Sequence, residues 1–250
     1  MNSRLYEKAS KYHDLKHIYS QCAGPGGLKV TEYIADKMNI KPGKKLLDIG
    51  VFLGCQTCFL AGEYNLFTVG IDPWDYYYDG RPHIDYLTDN AKRFNVDDKV
   101  LGIKVGVPDT LLPANSFDYA YSTTTFEMIR GMDGKEKYLE CLREVYRILK
   151  PGGIFGLGEP MHFDMEIPSD ILPFVSDEWR ECFGTIEETL QAVKAVGFTV
   201  LESGYAEDAQ DWWNEYAQYT KFSSNEFEEK KTIEMNNNRW LSFGFVIAQK

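Results

Sequence analysis

Residues 46–54 read LLDIGVFLG, an apolar run that ends in an acid and then turns through two glycines. A short apolar segment at 44–49 closed by glycine reads as a buried strand of an α/β sheet. Gly50 and Gly54 let the backbone turn and approach a ligand, and a helix over 53–63 would aim its free N–H groups at that turn. Asp48 ends this strand, and Asp72 ends the next one, 24 positions on. Two acids at adjacent strand ends favour a cofactor that contains a ribose, whose hydroxyls an acid can bind. Phe52 is the unexpected residue, because a loop that meets a pyrophosphate needs its middle position small.

Outward from this stretch, strands alternate with helical patterns, which predicts a parallel sheet. Helices are expected over 3–19 and 28–37, separated by GPGG at 24–27. Strands at 67–71, 100–105 and 117–122 follow, with a crossover helix over 84–94. A helix over 136–149 places Tyr138, Leu142, Val145 and Leu149 on one face and stops at Lys150-Pro151-Gly152-Gly153, which launches a strand at 154–158. Thr185 and Glu188 have capping-box spacing for a helix ending near Gly197. Two late strands, 199–203 and 240–248, flank a polar helical segment studded with aromatic residues. Ligands of such open sheets sit beyond the carboxyl ends of the strands at the switch point, so the loop after the first strand should hold the chemistry.

The 250 residues, 44% hydrophobic, suit one domain. Residues 1–40 are expected as an N-terminal helical cap and 206–236 as a helical insertion forming part of a substrate lid. A net charge of -11 argues against nucleic acid, whose binding rests on clustered Lys and Arg. No segment approaches the roughly 18 apolar residues that span a bilayer, so no membrane partner is expected. Five cysteines, an odd number, indicate free thiols and a cytoplasmic address. Cys55 and Cys58 form C-x-x-C without a second close pair, so buried packing is favoured over zinc and no metal is expected. The expected state is a monomer or homodimer.

Four stretches in order, LLDIGVFLG, VGIDPW, LLPANSFDYAYS and YLECLREVYRILKPGGIFGLGEP, resemble the class I S-adenosylmethionine-dependent methyltransferases, in the group that acts on small molecules. With the lead-in from residue 24, the likeness covers roughly residues 24–160. It implies a Rossmann-like, doubly wound, mostly parallel seven-stranded sheet of order 3-2-1-4-5-7-6 with the last strand antiparallel, and S-adenosyl-L-methionine as cofactor. It also implies that the Gly50–Gly54 turn, with Asp48 behind it, packs on the methionine part of the cofactor. Asp72 would hold the ribose and Trp74 flank the adenine. Val107 and Asp109 would stand near the adenine edge, although GVPDT shifts the position at which the family often has its acid, and Ser122 would lie at the fourth strand end.

Methyl transfer from a sulfonium is an in-line displacement, so the protein must mainly align nucleophile and methyl group and exclude water. A base is needed only where the nucleophile arrives protonated. Candidates lie at the ends of the fourth and fifth strands: Tyr121 to Thr125, Glu127, Glu159 and His162, of which Glu159, His162 and Tyr121 are chosen. Trp212, Trp213 and Tyr216, with Tyr12 of the N-terminal segment, are candidates to enclose a substrate, either as a lid that holds a cationic amine or simply as packing. Phe52 is expected to turn its ring away from the methionine moiety, toward the N-terminal helices or lid. Two other classes compete. A nucleotide-dependent oxidoreductase would need G-x-G-x-x-G, which this turn lacks; a non-catalytic relative would bind cofactor or a partner without turnover.

Overall fold

The computed structural model describes residues 5–220 and 226–250. After a 3-10 turn at Ala9–Lys11, the elements are α1 (Leu15–Tyr19), α2 (Gly27–Lys37), β1 (Lys45–Ile49), α3 (Cys55–Glu63), β2 (Phe67–Ile71), α4 (His83–Arg93), β3 (Val100–Ile103), β4 (Phe117–Thr123), α5 (Phe126–Ile148), β5 (Leu149–His162), α6 (Asp177–Cys182), α7 (Ile186–Val196), β6 (Thr199–Tyr205), α8 (Ala209–Tyr219), α9 (Glu226–Asn236) and β7 (Leu241–Gln249). The seven strands form one sheet of order β3-β2-β1-β4-β5-β7-β6, the order the family resemblance implies. All pairings are parallel except those of β7, which runs antiparallel to β5 and β6. The switch point lies between β1 and β4, where the chain leaves one half of the sheet for the other.

Side-chain alternation sorts the core into two layers. Leu46, Tyr119, Tyr121, Phe243 and Phe245 pack on one face with α2, α3 and α8, while Leu47, Ala120, Phe155 and Val246 pack on the other with α5 and α7. The central strands thus bury both faces and read as continuous apolar runs. A third cluster, built from Tyr19, Ile171, Trp179, Phe183, Trp213, Tyr216 and Trp240, joins α1, α6, α8 and the start of β7. This cluster is the core of the cap.

Several boundaries differ from the sequence reading, each for a local reason. The helix expected over 3–19, whose first two residues lie outside the described part, is broken at Tyr12–Asp14, where the Asp14 side chain accepts from His17 N at 3.0 Å and starts a new helix. α5 begins ten residues earlier than the periodicity indicates, because two helical segments meet across Gly134 (φ 84°, ψ 176°). β5 runs on to His162 because β7 pairs with it along that whole length. α6 has no sequence counterpart; Ser176 caps it by accepting from Trp179 N at 3.2 Å. The late insertion is two helices, and residues 221–225 between them lie outside the described part. Asn236 fixes the second to the sheet: its Oδ1 accepts from Leu241 N and its Nδ2 donates to Leu241 O, both at 2.6 Å. Among the described residues no helix is long and apolar enough to cross a membrane.

Candidate active site

At the carboxyl end of β1 the chain turns through three residues with positive φ: Gly50 (79°), Phe52 (48°) and Gly54 (83°). The turn is held by β2. Gly50 N donates to Ile71 O at 2.9 Å, Phe52 N to Asp72 Oδ2 at 3.0 Å, and Trp74 N to Asp72 Oδ1 at 3.0 Å. A left-handed conformation strains any residue with a side chain, and the bond to Asp72 is what keeps Phe52 there. Its ring lies edge-on to His83 (5.1 Å) and Tyr76 (6.0 Å) in the β2–α4 segment. The residue lines two adjoining cavities, and these ring contacts lie in the β2–α4 segment, whereas the expected partners are the N-terminal helices or lid.

The first cavity lies over the ends of β1, β2 and β4, between Gly50, Asp72, Trp74, Val107 and Thr125. Four of the residues assigned to the cofactor, Gly50, Asp72, Trp74 and Val107, therefore meet. The other four do not line it. Asp48 is buried beneath the turn, where its Oδ2 accepts from the Thr57 hydroxyl at 2.6 Å. Burial, opposed by that hydrogen bond and reinforced by Asp72, pushes its carboxyl up to about 7. Gly54 is needed for packing, since a Cβ there would strike the backbone and side chain of Leu87 in α4. Ser122 spends its hydroxyl on Ile49 O at 2.8 Å, tying β4 to β1. Asp109 is exposed, in line with the shifted match at GVPDT.

None of the three chosen catalytic residues faces either cavity. Tyr121 points to the opposite layer, donating to Thr31 Oγ1 at 3.0 Å, and burial raises its phenol well beyond ordinary titration. The His162 ring stacks on Trp240 at 5.5 Å with Nδ1 2.8 Å from Phe163 O. Glu159 is fully buried beside Arg130, whose Nη2 is 3.3 Å from Glu159 Oε2. The acid that does reach a cavity is Glu127, one position into α5 and only 3% exposed. Its sequence signal was its place just after the fourth strand, which ranked it no higher than its neighbours.

The second cavity opens beside the first and shares its wall of Ala23, Phe52, Trp74, His83, Thr124 and Met128. It is closed by Trp179 of α6, Phe183 just after it, and Trp213 and Tyr216 of α8. Trp213 Nε1 donates to Ser242 O at 3.1 Å, fixing that ring to β7. Of the four residues proposed to enclose substrate, Trp213 and Tyr216 are in place. Trp212, on the next face of the helix, packs edge-on against Tyr33 (5.4 Å) and Phe243 (5.6 Å) of the body. Tyr12 stacks on Phe94 at 5.5 Å and donates to Glu63 Oε1 at 3.2 Å, so it is not part of either wall. Adjacent tryptophans on one helix thus serve different layers.

The first cavity fits the implied cofactor. Gly50 leaves the turn open where a Cβ would run into Thr125, Asp72 presents a carboxylate whose remaining lone pairs can accept from ribose hydroxyls, and Ile71, Val107 and Ile129 offer apolar surface for a base. The sheet order, the reversed last strand and this switch-point cavity define a class I S-adenosylmethionine-dependent methyltransferase domain. Residues 47–157 match the family described as a methyltransferase domain. Among curated relatives, sterol 24-C-methyltransferase of Schizosaccharomyces pombe is 28% identical over 185 residues, which cover 68% of this chain and 43% of that protein. Phosphoethanolamine N-methyltransferase 1 of Arabidopsis thaliana is 24% identical, covering 82% of this chain and 38% of its own. This chain therefore spans less than half the length of either relative. Among solved structures, Haemonchus contortus phosphoethanolamine N-methyltransferase 2 in complex with S-adenosyl-L-methionine superposes with a TM-score of 0.73 at 20% identity, covering 94% of this chain and 56% of that one.

Proposed function

We propose that this protein transfers a methyl group to the nitrogen of a small amine that binds as a cation. The observation that supports this reading is the lining of the second cavity. Asp75, Glu127, Glu178 and Glu229 stand among aromatic rings, with no Lys or Arg among the described lining residues. Aromatic faces and carboxylates attract an ammonium ion, whereas a phosphate ester would call for Arg or Lys. The names of the relatives include both a sterol and a phosphate ester; the acidic lining disfavours the second as acceptor. Aromatic walls also steady positive charge developing on carbon, so carbon methylation of an apolar alkene is the second reading.

S-adenosylmethionine, when bound, supplies an electrophilic methyl group on its sulfonium. In this reading Asp72 and the Gly50 turn hold it, and the wall shared by the two cavities sets the distance between it and the acceptor. Trp179, Trp213 and Tyr216 exclude water above the acceptor. Incubation with methyl-labelled cofactor and a panel of amines, phosphorylated amines, phenols, thiols and alkenes tests the reading. Label in amines supports it, and label only in phosphorylated or alkene acceptors contradicts it.

A further inference from the structure

The buried charges beneath the second cavity do not balance. Glu127 and Glu159 are 3% and 0% exposed, and one guanidinium, Arg130, serves both. Arg130 Nη2 lies 3.3 Å from Glu159 Oε2 and donates to Thr189 Oγ1 at 3.1 Å. Two carboxylates against one cation leave one negative charge in excess, which is costly away from water. Glu159 has the cation and is not part of the cavity wall. Glu127 is, and its Oε2 is buried without a hydrogen-bond partner in the protein. Burial first, and Glu159 second, hold its carboxyl well above the usual carboxylate range. Both carboxyls of the pair are raised by burial, and Glu127, which lacks the direct guanidinium contact that Glu159 has, is the one favoured to hold a proton. Its position is also apt for chemistry, because the next residue, Met128, belongs to the wall shared with the cofactor cavity.

We infer that Glu127 is a catalytic carboxyl that exchanges one proton with a cationic nitrogen ligand in the second cavity. The inference deepens the amine reading above and rests on it for the identity of the acceptor. For an ammonium acceptor, binding of the cation first drives the Glu127 proton into solvent, and an N–H bond then breaks as an O–H bond re-forms on the Glu127 carboxylate. The nitrogen gains its lone pair, and the proton stays in the site. A quaternary ammonium ion has no N–H to give, so its arrival must drive the Glu127 proton into solvent.

The groups facing Glu127 are Arg130 on its own helix, Glu159 on β5, and Glu178 and Cys182 on α6. Asp75, Tyr77, His83, Tyr216 and Glu229 complete the charged or titratable lining. Cys182 is pushed up to about 11, chiefly by burial, and stays a neutral thiol. Asp75 and Glu178 are exposed, and of the two buried acids of the lining, Glu127 and Glu229, it is Glu127 whose carboxyl has an oxygen without a hydrogen-bond partner.

Calorimetric titration of the full chain with tetramethylammonium, in buffers of different ionisation enthalpy at mildly acidic pH, counts the protons exchanged. The expected result is release of about one proton per ion bound, lost in Glu127→Gln together with about tenfold or more of the affinity. Binding without proton release, release undiminished in Glu127→Gln, or no binding would overturn the inference. Glu127→Gln is nearly isosteric, and its binding of S-adenosylhomocysteine reports whether it is folded. Should it not fold, the wild-type proton count still decides. If no amine is methylated yet the ion binds with proton release, the acceptor reading fails and the cation site stands.

Discussion

The two cavities share a wall but are built in opposite ways. The cofactor side is made largely from backbone: consecutive strand ends, a turn with three positive-φ residues, and one carboxylate that ties two loop N–H groups. The acceptor side is made from side chains of distant segments, Ala23 to Pro25, Glu127, α6, α8 and Glu229, which meet only in the folded cap. A site made from backbone tolerates almost no change in its turn and yields one ligand. A site made from side chains can be altered residue by residue, and in the proposed reading it is where the choice of acceptor resides.

The largest effect expected from this contrast is at Gly50. A valine there would need a left-handed backbone and would meet Thr125, so cofactor affinity measured by calorimetry should fall on the order of 100-fold or more. Unchanged affinity would remove the turn from the cofactor site. On the acceptor side, Glu127→Gln should lower kcat/KM for an amine on the order of 100-fold while leaving cofactor affinity within about twofold. Steady-state kinetics against amine pH would separate loss of the proton acceptor from simple misfolding, because only the former flattens the profile.

The paired tryptophans sharpen the comparison further. Trp213→Phe should raise the KM for acceptor about tenfold, since the ring forms the cavity wall and its Nε1 bond to Ser242 anchors it. Trp212→Ala, in the body core, should instead cost about 3–5 kcal/mol of stability with KM for acceptor little changed in the folded fraction. The smallest effect lies beneath the turn. Asp48, pushed up to about 7 by burial, binds its proton more tightly folded than unfolded. Its stabilisation is complete below the unfolded value of about 4 and is lost as pH rises through about 7. Wild-type Tm should therefore decline by about 5 °C between pH 5 and pH 8, and Asp48→Asn should flatten that decline.

The contrast also accounts for what could be read from the chain. LLDIGVFLG, VGIDPW and the KPGG stop revealed β1, β2 and the α5–β5 junction, because backbone demands are met locally by glycine, proline and an acid at a strand end. Gly50 and Asp72 were found for the same reason. Gly54 matched the same motif yet serves the contact of α3 with α4, which only the position of Leu87 makes visible. Glu159 and Glu127 are equally polar, and in sequence Glu159 is the nearer to a predicted strand end, yet Glu159 pairs with Arg130 away from the cavity and Glu127 meets it. The split between Trp212 and Trp213 follows from one helical step of roughly 100°, which a list of aromatic residues cannot assign to body or cap until α8 is docked. Phe52 was the conspicuous residue in the turn. Asp72 holds its N–H, and its ring packs edge-on to Tyr76 and His83 at the wall the two cavities share.

In the proposed reading a generic cofactor turn is joined to an anionic, aromatic acceptor site. Competition between a small amine and its phosphorylated counterpart for the labelled methyl group tests it most directly. The account predicts label on the amine and little or none on the phosphorylated form. Preferential methylation of the phosphorylated form would contradict it.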